Sequence, residues 1–346
     1  MKFMNDTSKV VRRLERANVK EKVIGFIRSP LWTLTSKEIT DHIRSFRFNI
    51  LLGIIFLTCI ASIYSALSTI RDVAAGIDNP DDFHLYLQIF SITGEDNALP
   101  SFITFISFLG PLLGIGLGFD AINKEKNSHT LLRVLSQPIP RDYIILSKFL
   151  GSLAVISMFV FSLGLLIIGS GIISMGIPPS FDEFIRIITY LVMIIFYIGF
   201  WLALSILFSI QFKQAATSAL SSIAVWLFFS IFYSIIVNLI VNASMPDQLF
   251  QSMSAEQQTE NYELMTGLMR LSPNYLFSEI TTVLLTPGYR TLGPVTMEQL
   301  IGTIPSPLGL MESLSIIWPQ VIGIISFGVI CFAISYLIFI FQEIRS

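Results

Sequence analysis

Side chains able to make or break bonds are sparse in this sequence. It has three histidines, His42, His84 and His129, and two cysteines, Cys59 and Cys331. Both cysteines fall inside long apolar runs with no CxxC pair, so neither a disulfide framework nor a cysteine metal site is available. Hydrolysis within a membrane needs a carboxylate pair, a metal site or a serine with a histidine base at membrane depth. All three histidines lie outside the apolar runs, so no run carries a base. A proton relay lacks its intramembrane carboxylates for the same reason, whereas a sodium site built from carbonyls and hydroxyls stays open. No G-x-x-x-x-G-K-[ST] phosphate loop occurs, and the GIGLG run Gly114 to Gly118 sits inside an apolar stretch rather than after a strand. The expectation is a chain with no catalytic residue, no metal and no cofactor of its own.

Two charged segments are suited instead to contact. The first precedes the first apolar run, where Thr35-Ser36-Lys37-Glu38 has the form of a capping box. Leu34 and Ile39 flank it as a hydrophobic staple. Ile39, Ile43 and Phe46 recur on one face, with Lys37, Asp41, Arg44 and Arg47 turned elsewhere. This pattern predicts an amphipathic interfacial helix leading into the first span; a plain basic anchor for lipid headgroups is the alternative. Val23, Phe26 and Ile27 suggest a further short amphipathic turn ending near Pro30. The second segment, Asp120 to Lys148, offers Ser128 as the cap of a helix through Ser136, with Leu131, Leu132 and Leu135 on one side and Arg133 on another. Gln137-Pro138-Ile139-Pro140 ends that helix, because a residue before proline avoids helical geometry, and Arg141-Asp142 opens the next run. A short helix held between an elbow and a proline turn is a lever for a cytosolic partner.

The elements that position these segments follow from composition. Of 346 residues, 53% are hydrophobic and only 13% charged, about half the share a soluble chain needs. A bilayer core of about 30 Å takes roughly 20 apolar residues, and six runs qualify: Phe48 to Ile70, Leu99 to Phe119, Phe149 to Met175, Ile187 to Ile210, Ala216 to Val241 and Ser315 to Phe341. None holds a charged residue or histidine. The expected fold is an all-α membrane protein of six transmembrane helices. Residues 1–47 form a polar tail and interfacial helix, 48–241 spans one to five with the lever near 123–141, 242–314 an extracytoplasmic helical loop, and 315–346 the last span and a short tail. Met1 to Lys22 has no apolar core, so the first run is expected to be a retained anchor. Lysine and arginine total 18 on the side of the termini and four on the other, which predicts cytoplasmic termini. In the long loop, Phe250 to Leu271 and Leu276 to Leu285 have helical character, with Pro273 and Pro287 as breaks. They form either an external cap or helices dipping into the outer leaflet; the bland alternative is a mobile acidic loop.

At this point the sequence resembles a known family. Asp120, Glu125-Lys126, Thr130-Leu131, Leu135-Ser136, Pro138, Arg141 and Lys148 follow the order and approximate spacing of a pattern in type-2 ABC exporter permeases: D, ERE, a glycine followed by TL, LLS-P-SR and a lysine before the next span. Lys37-Glu38 is similar to the KE pair before their first span. His129 stands where that pattern has glycine, and Pro140 where serine is common. Leu271-Ser272-Pro273 in the long loop is similar to the subset that includes nitrous-oxide-reductase maturation and gliding-motility permeases. The resemblance implies that Glu125, Ser128, His129, Leu131, Leu132, Arg133, Leu135 and Arg141 belong to a coupling helix docking on a nucleotide-binding ATPase, joined by Thr35, Lys37, Glu38 and Arg44 of the interfacial helix. It also implies two ATPase subunits, which bind ATP and magnesium, and a second permease, identical or paralogous.

Gly110, Gly114 and Gly118 recur every fourth residue in the second run, with Pro111 beside the first. Small residues so spaced let helix backbones approach. The ridge faces either another span or a second permease half. Ser218 and Ser222 give a weaker version. Polar uncharged residues such as Asn49, Thr58, Asn238 and Gln320 either line a path or bond back to their own helix. The reading is a permease subunit of an ATP-driven exporter in a prokaryotic plasma membrane, moving a lipidic, amphipathic or peptide-like substrate and contacting lipid but no nucleic acid. A membrane sensor or assembly scaffold with an external cap, or an ion-coupled secondary transporter, are the alternatives.

Overall fold

The computed structural model describes residues 29–74, 85–91, 100–128, 130, 136, 139–244, 264–286 and 309–341. They contain helices and no strand. In chain order the helices are α1 Pro30–Ile43, α2 Phe46–Ala74, α3 Leu85–Ser91, α4 Phe102–Gly118, α5 Asn123–Asn127, α6 Arg141–Met175 and α7 Phe181–Gln211. There follow α8 Ala215–Leu227, a π-helical turn Phe228–Phe232, α9 Tyr233–Ser244, α10 Pro273–Leu285 and α11 Leu310–Phe341, with residues 264–269 also helical. Six helical segments are long and apolar enough to cross a membrane: α2, α4 with α5, α6, α7, α8 through α9, and α11.

α7 is the hub, with α4, α6, α8, α10 and α11 all packed on it. Tyr190, Tyr197 and Trp201 fill its flanks and are wholly buried. Its start is fixed by a true capping box, in which the Ser180 hydroxyl accepts from the Glu183 N–H and the Glu183 carboxylate accepts from the Ser180 N–H. The glycine ridge of α4 lies against this hub. A Cβ at Gly114 would stand 2.7 Å from the Ile198 carbonyl oxygen, and one at Gly118 2.9 Å from Ser205 Cβ. Gly110 is looser, 3.2 Å from Ile198 Cγ1. The ridge is therefore a contact to another span of the same chain. Ser205 closes it by donating to the Ile115 carbonyl at 3.1 Å. By contrast α2, α8, α9 and α11 keep broad apolar faces exposed, including Leu57, Leu220, Leu239 and Leu337. In water such faces would aggregate; lipid is their solvent.

Residues 264–286 lie within the bundle. Tyr197 donates to Asn274 Oδ1 at 2.8 Å, and Phe277 stacks on Tyr197 at 4.2 Å between centroids. From Phe181 to Tyr197 the hub rises about 24 Å, so the first turn of α10 sits near the middle of α7. Of the two expected helices of the long loop, the second starts at Pro273 rather than Leu276, because proline suits the first helical position. Of the first, only residues 264–269 belong to the described residues as helix.

Candidate functional site

α1 is tied to the bundle through α6. Gly151 makes the crossing possible, since a Cβ there would meet Glu38 Cβ at 2.8 Å and the Thr35 carbonyl oxygen at 3.3 Å. Above the crossing, Lys148 Nζ donates to Glu38 Oε1 at 3.2 Å and to Glu125 Oε1 at 2.9 Å. The lysine side chain is 5% exposed and each carboxylate 13%. Lys37, half exposed, adds longer contacts of 3.8 Å to both carboxylates. One buried ammonium thus joins three separate segments: α1, the elbow helix α5 and the start of α6. A buried pair of this kind is costly to break, because the partner left behind is an uncompensated charge.

The elbow has a second anchor on the hub. Ser209 Oγ accepts from the N–H groups of Ile122 and Asn123, at 3.0 and 3.3 Å. Two orphan donors at the start of α5 are satisfied there by α7. On the other flank, the Ser152 hydroxyl pairs with His42 Nε2 at 2.9 Å. Burial holds the His42 pKa below its usual value, with Glu38 raising it and Lys148 lowering it as smaller effects.

Several expectations from the sequence are corrected here. Thr35 and Glu38 form no capping box. α1 begins a turn and a half earlier, with Ser29 as the cap accepting from the Trp32 N–H and Pro30 in the first turn. Thr35 is buried in the helix interior and its hydroxyl donates back to the Leu31 carbonyl at 2.8 Å; Glu38 is engaged by Lys148 instead. The staple of Leu34 and Ile39 falls with the box. Of the helix expected from Ser128 to Ser136, most residues lie outside those described; Ser128 itself is described. It lies at the C-terminal end of α5 and its hydroxyl donates to the Lys124 carbonyl at 2.8 Å. The charge-free ends assigned to the third and fourth spans are also wrong. α6 and α7 begin at Arg141 and Phe181, so Lys148 and Arg186 lie inside helices and are buried. Their charges are carried by partners rather than by water.

Of the other expected site residues, Lys37, Glu38 and Glu125 converge at the Lys148 junction. Arg44 ends α1 through its backbone N–H and is exposed. Arg141 is the first, exposed residue of α6. His129, Leu131, Leu132, Arg133 and Leu135 lie outside the described residues. The centre of the junction, Lys148, had entered only through the family pattern, since a lysine just before an apolar run passes for the end of a span. Its signal was Ile144 and Ile145 upstream, buried apolar residues that extend the helix past it.

A second polar cluster lies in the opposite half. Glu279 on α10 is fully buried and accepts from Arg270 Nε and Nη2 at 3.1 to 3.3 Å and from Gln320 Nε2 of α11 at 3.1 Å. Asn274 Nδ2 donates to Ser230 in the π-helical turn, and the Tyr233 hydroxyl to the Leu268 carbonyl at 2.7 Å. Arg186 joins Asp182 at 2.6 Å and Ser313 at 3.0 Å near the starts of α7 and α11. None of the described residues group histidine, cysteine and carboxylates as a metal would require.

Six apolar spans, whose buried charges are met by ion pairs or hydrogen bonds within the chain, define an integral, multi-pass membrane protein. The family model described as ABC-2 family transporter protein matches residues 32–342, and the chain belongs to that family. It is thus a membrane subunit of an ABC transporter. Over 121 residues it is 31% identical to the probable ABC transporter permease protein NosY of Pseudomonas aeruginosa, an alignment covering 35% of this chain and 38% of that protein. The chain therefore matches little more than a third of that relative's length.

Proposed function

We propose that the chain is one permease half of an ATP-driven exporter, with α1 and the elbow facing the cytosol. Two separate ATPase subunits bind ATP with magnesium and supply the hydrolysis. A second permease, identical or paralogous, completes the pathway, and the substrate is lipidic, amphipathic or peptide-like. The carrying observation is the Lys148 junction. It joins α5, which precedes in the chain the segment whose family pattern implies docking, to α6, which follows that segment, and to α1. Ser209 extends the joint to the hub. A push on the elbow then moves α1, α6 and α7 together, and the bundle responds by switching between packed arrangements.

The spans support that substrate class. Their buried charges are met by partners within the chain, which suits a ligand with a large apolar part better than a small ion. The test separates docking from transmission. Changing Leu131 and Leu135 together to Asp removes the apolar anchors of the coupling segment. The ATPase encoded with this chain should then fail to copurify while the permease stays in the membrane. Glu125→Gln should keep copurification but lower transport per ATP hydrolysed. Wild-type copurification and transport in the double variant would overturn the assignment.

A further inference from the structure

A cavity of about 360 Å³ opens beside the Lys148 junction, between α1, the start of α2, the end of α4 and the elbow. Its size is that of a small-molecule site. Its floor is apolar, made by Phe48 and Leu51 of α2 and Leu117 of α4, where the first two spans enter the bilayer. Its rim is charged in both signs. Arg47 and Lys124 are exposed and form no ion pair among the described residues, nor does the half-buried Asp120.

Glu125 is committed to the joint: its Oε1 is held by Lys148, and its Oε2 is buried without a hydrogen-bond partner, out of reach of a water-sized group. Asp120, half-buried in the lining, is the carboxylate open to an N–H donor. The cavity lining carries Lys37, Arg47, Lys124 and Lys148 against Glu38, Asp41, Asp120 and Glu125, a balanced set. A purely anionic headgroup would set added negative charge beside Asp120. A quaternary ammonium has no N–H to give to it.

We propose that this cavity binds the headgroup of a zwitterionic phospholipid with a primary ammonium. The phosphate lies between Arg47 and Lys124, the ammonium donates to Asp120, and the acyl chains run along Phe48, Leu51 and Leu117 into the bilayer. The ligand's two charges match the two signs of the rim, and its apolar part matches the floor. The site links α1 to both spans below it and does not depend on an ATPase partner.

The test uses the full chain in nanodiscs of mixed phosphatidylethanolamine, phosphatidylcholine and phosphatidylglycerol, with lipid retained after delipidating washes measured by mass spectrometry. The wild type should retain phosphatidylethanolamine about tenfold over the other two, one decade of affinity. Asp120→Asn should lower the preference for phosphatidylethanolamine over phosphatidylcholine. Arg47→Gln should weaken retention of both alike, since they share the phosphate. Arg47 is exposed and Asp120 half-buried without an ion pair, so a normal melting temperature is the control for folding. Equal retention of all three lipids by the wild type, a preference unchanged in Asp120→Asn, or undiminished retention in Arg47→Gln would overturn the proposal. Displacement of retained lipid by millimolar inorganic phosphate would assign the site to a soluble phosphate and overturn it as well.

Discussion

Two regions of this protein bury charge, and they do so for different ends. At the α1 end, Lys148 draws together two carboxylates from segments far apart in sequence, beside an open cavity. In the opposite half, Glu279 is enclosed by Arg270, nine residues before it, and Gln320 of α11. The first arrangement joins three segments and leaves one oxygen of Glu125 without a donor. The second fastens α10 to its neighbours and gives both oxygens of Glu279 donors. Buried ionic groups therefore mark a joint in one place and a fastening in the other, and the satisfaction of their lone pairs tells the two apart.

The largest expected effect breaks the joint. Lys148→Met leaves Glu38 and Glu125 facing each other with only the half-exposed Lys37, 3.8 Å from each, as a cation, which should cost about 3 to 5 kcal/mol. The melting temperature in detergent should fall steeply. Adding Glu38→Gln and Glu125→Gln to the same chain should restore most of it, because neutral side chains need no counter-charge. A Lys148→Met protein that melts like wild type would mean that the junction is solvated and joins nothing.

The fastening should yield less. Glu279→Gln keeps an acceptor for Gln320, and Arg270, with 40% of its side chain exposed, can turn to water. The loss should be about 1 to 2 kcal/mol, the scale of a charged hydrogen bond. Proteolytic sensitivity should rise in 264–286 before the rest of the chain. If Glu279→Gln proves more damaging than Lys148→Met, the contrast between the two regions is reversed.

The six spans were legible because a bilayer demands length and apolarity, and nothing else in the sequence imitates an uninterrupted run of that kind. Helix starts were not, and the pattern Ser/Thr-x-x-Glu shows why. It occurs at Thr35 to Glu38 and at Ser180 to Glu183. Only the second caps a helix, because Pro178 and Pro179 keep the preceding chain extended, whereas Pro30 has already started α1 before Thr35 is reached. The same hydroxyl therefore caps in one place and bonds back to its own helix in the other. Lys148 and Arg186 were hidden by the habit of ending a span at a charge, which fails wherever tertiary partners replace water. The π-helical turn at Phe228–Phe232 has no signature in its residues; it becomes intelligible only beside Asn274, which Ser230 meets there. The glycine ridge, visible as a pattern, needed coordinates to show which helix it faces.

The smallest effect sharpens the comparison from the side of the joint, through pH. His42 packs on Ser152 of α6, and the charged groups around it are Glu38, Lys148, Asp120 and Asp41. Burial lowers its pKa from 6.5 in the docked helix. An undocked α1 would carry His42 in water, where it takes up a proton more readily. The undocked form thus binds more protons between the two values, and docking gains stability as pH rises through that window. Above about 6.5 the histidine is neutral in both forms and docking is at full strength. As pH falls through 6.5 toward the lowered docked value, the stability is progressively lost. Amide exchange across residues 30–43 should accelerate between pH 7 and 5.5, beyond the intrinsic change, in the wild type and not in His42→Gln, whose amide can keep the Ser152 bond without titrating. This should be the smallest of the three effects. No counterpart is expected at Glu279, since no histidine lies among its partners. A wild type and His42→Gln pair with identical exchange at both pH values would mean that His42 does not contribute to holding α1, and that the joint rests on Lys148 alone.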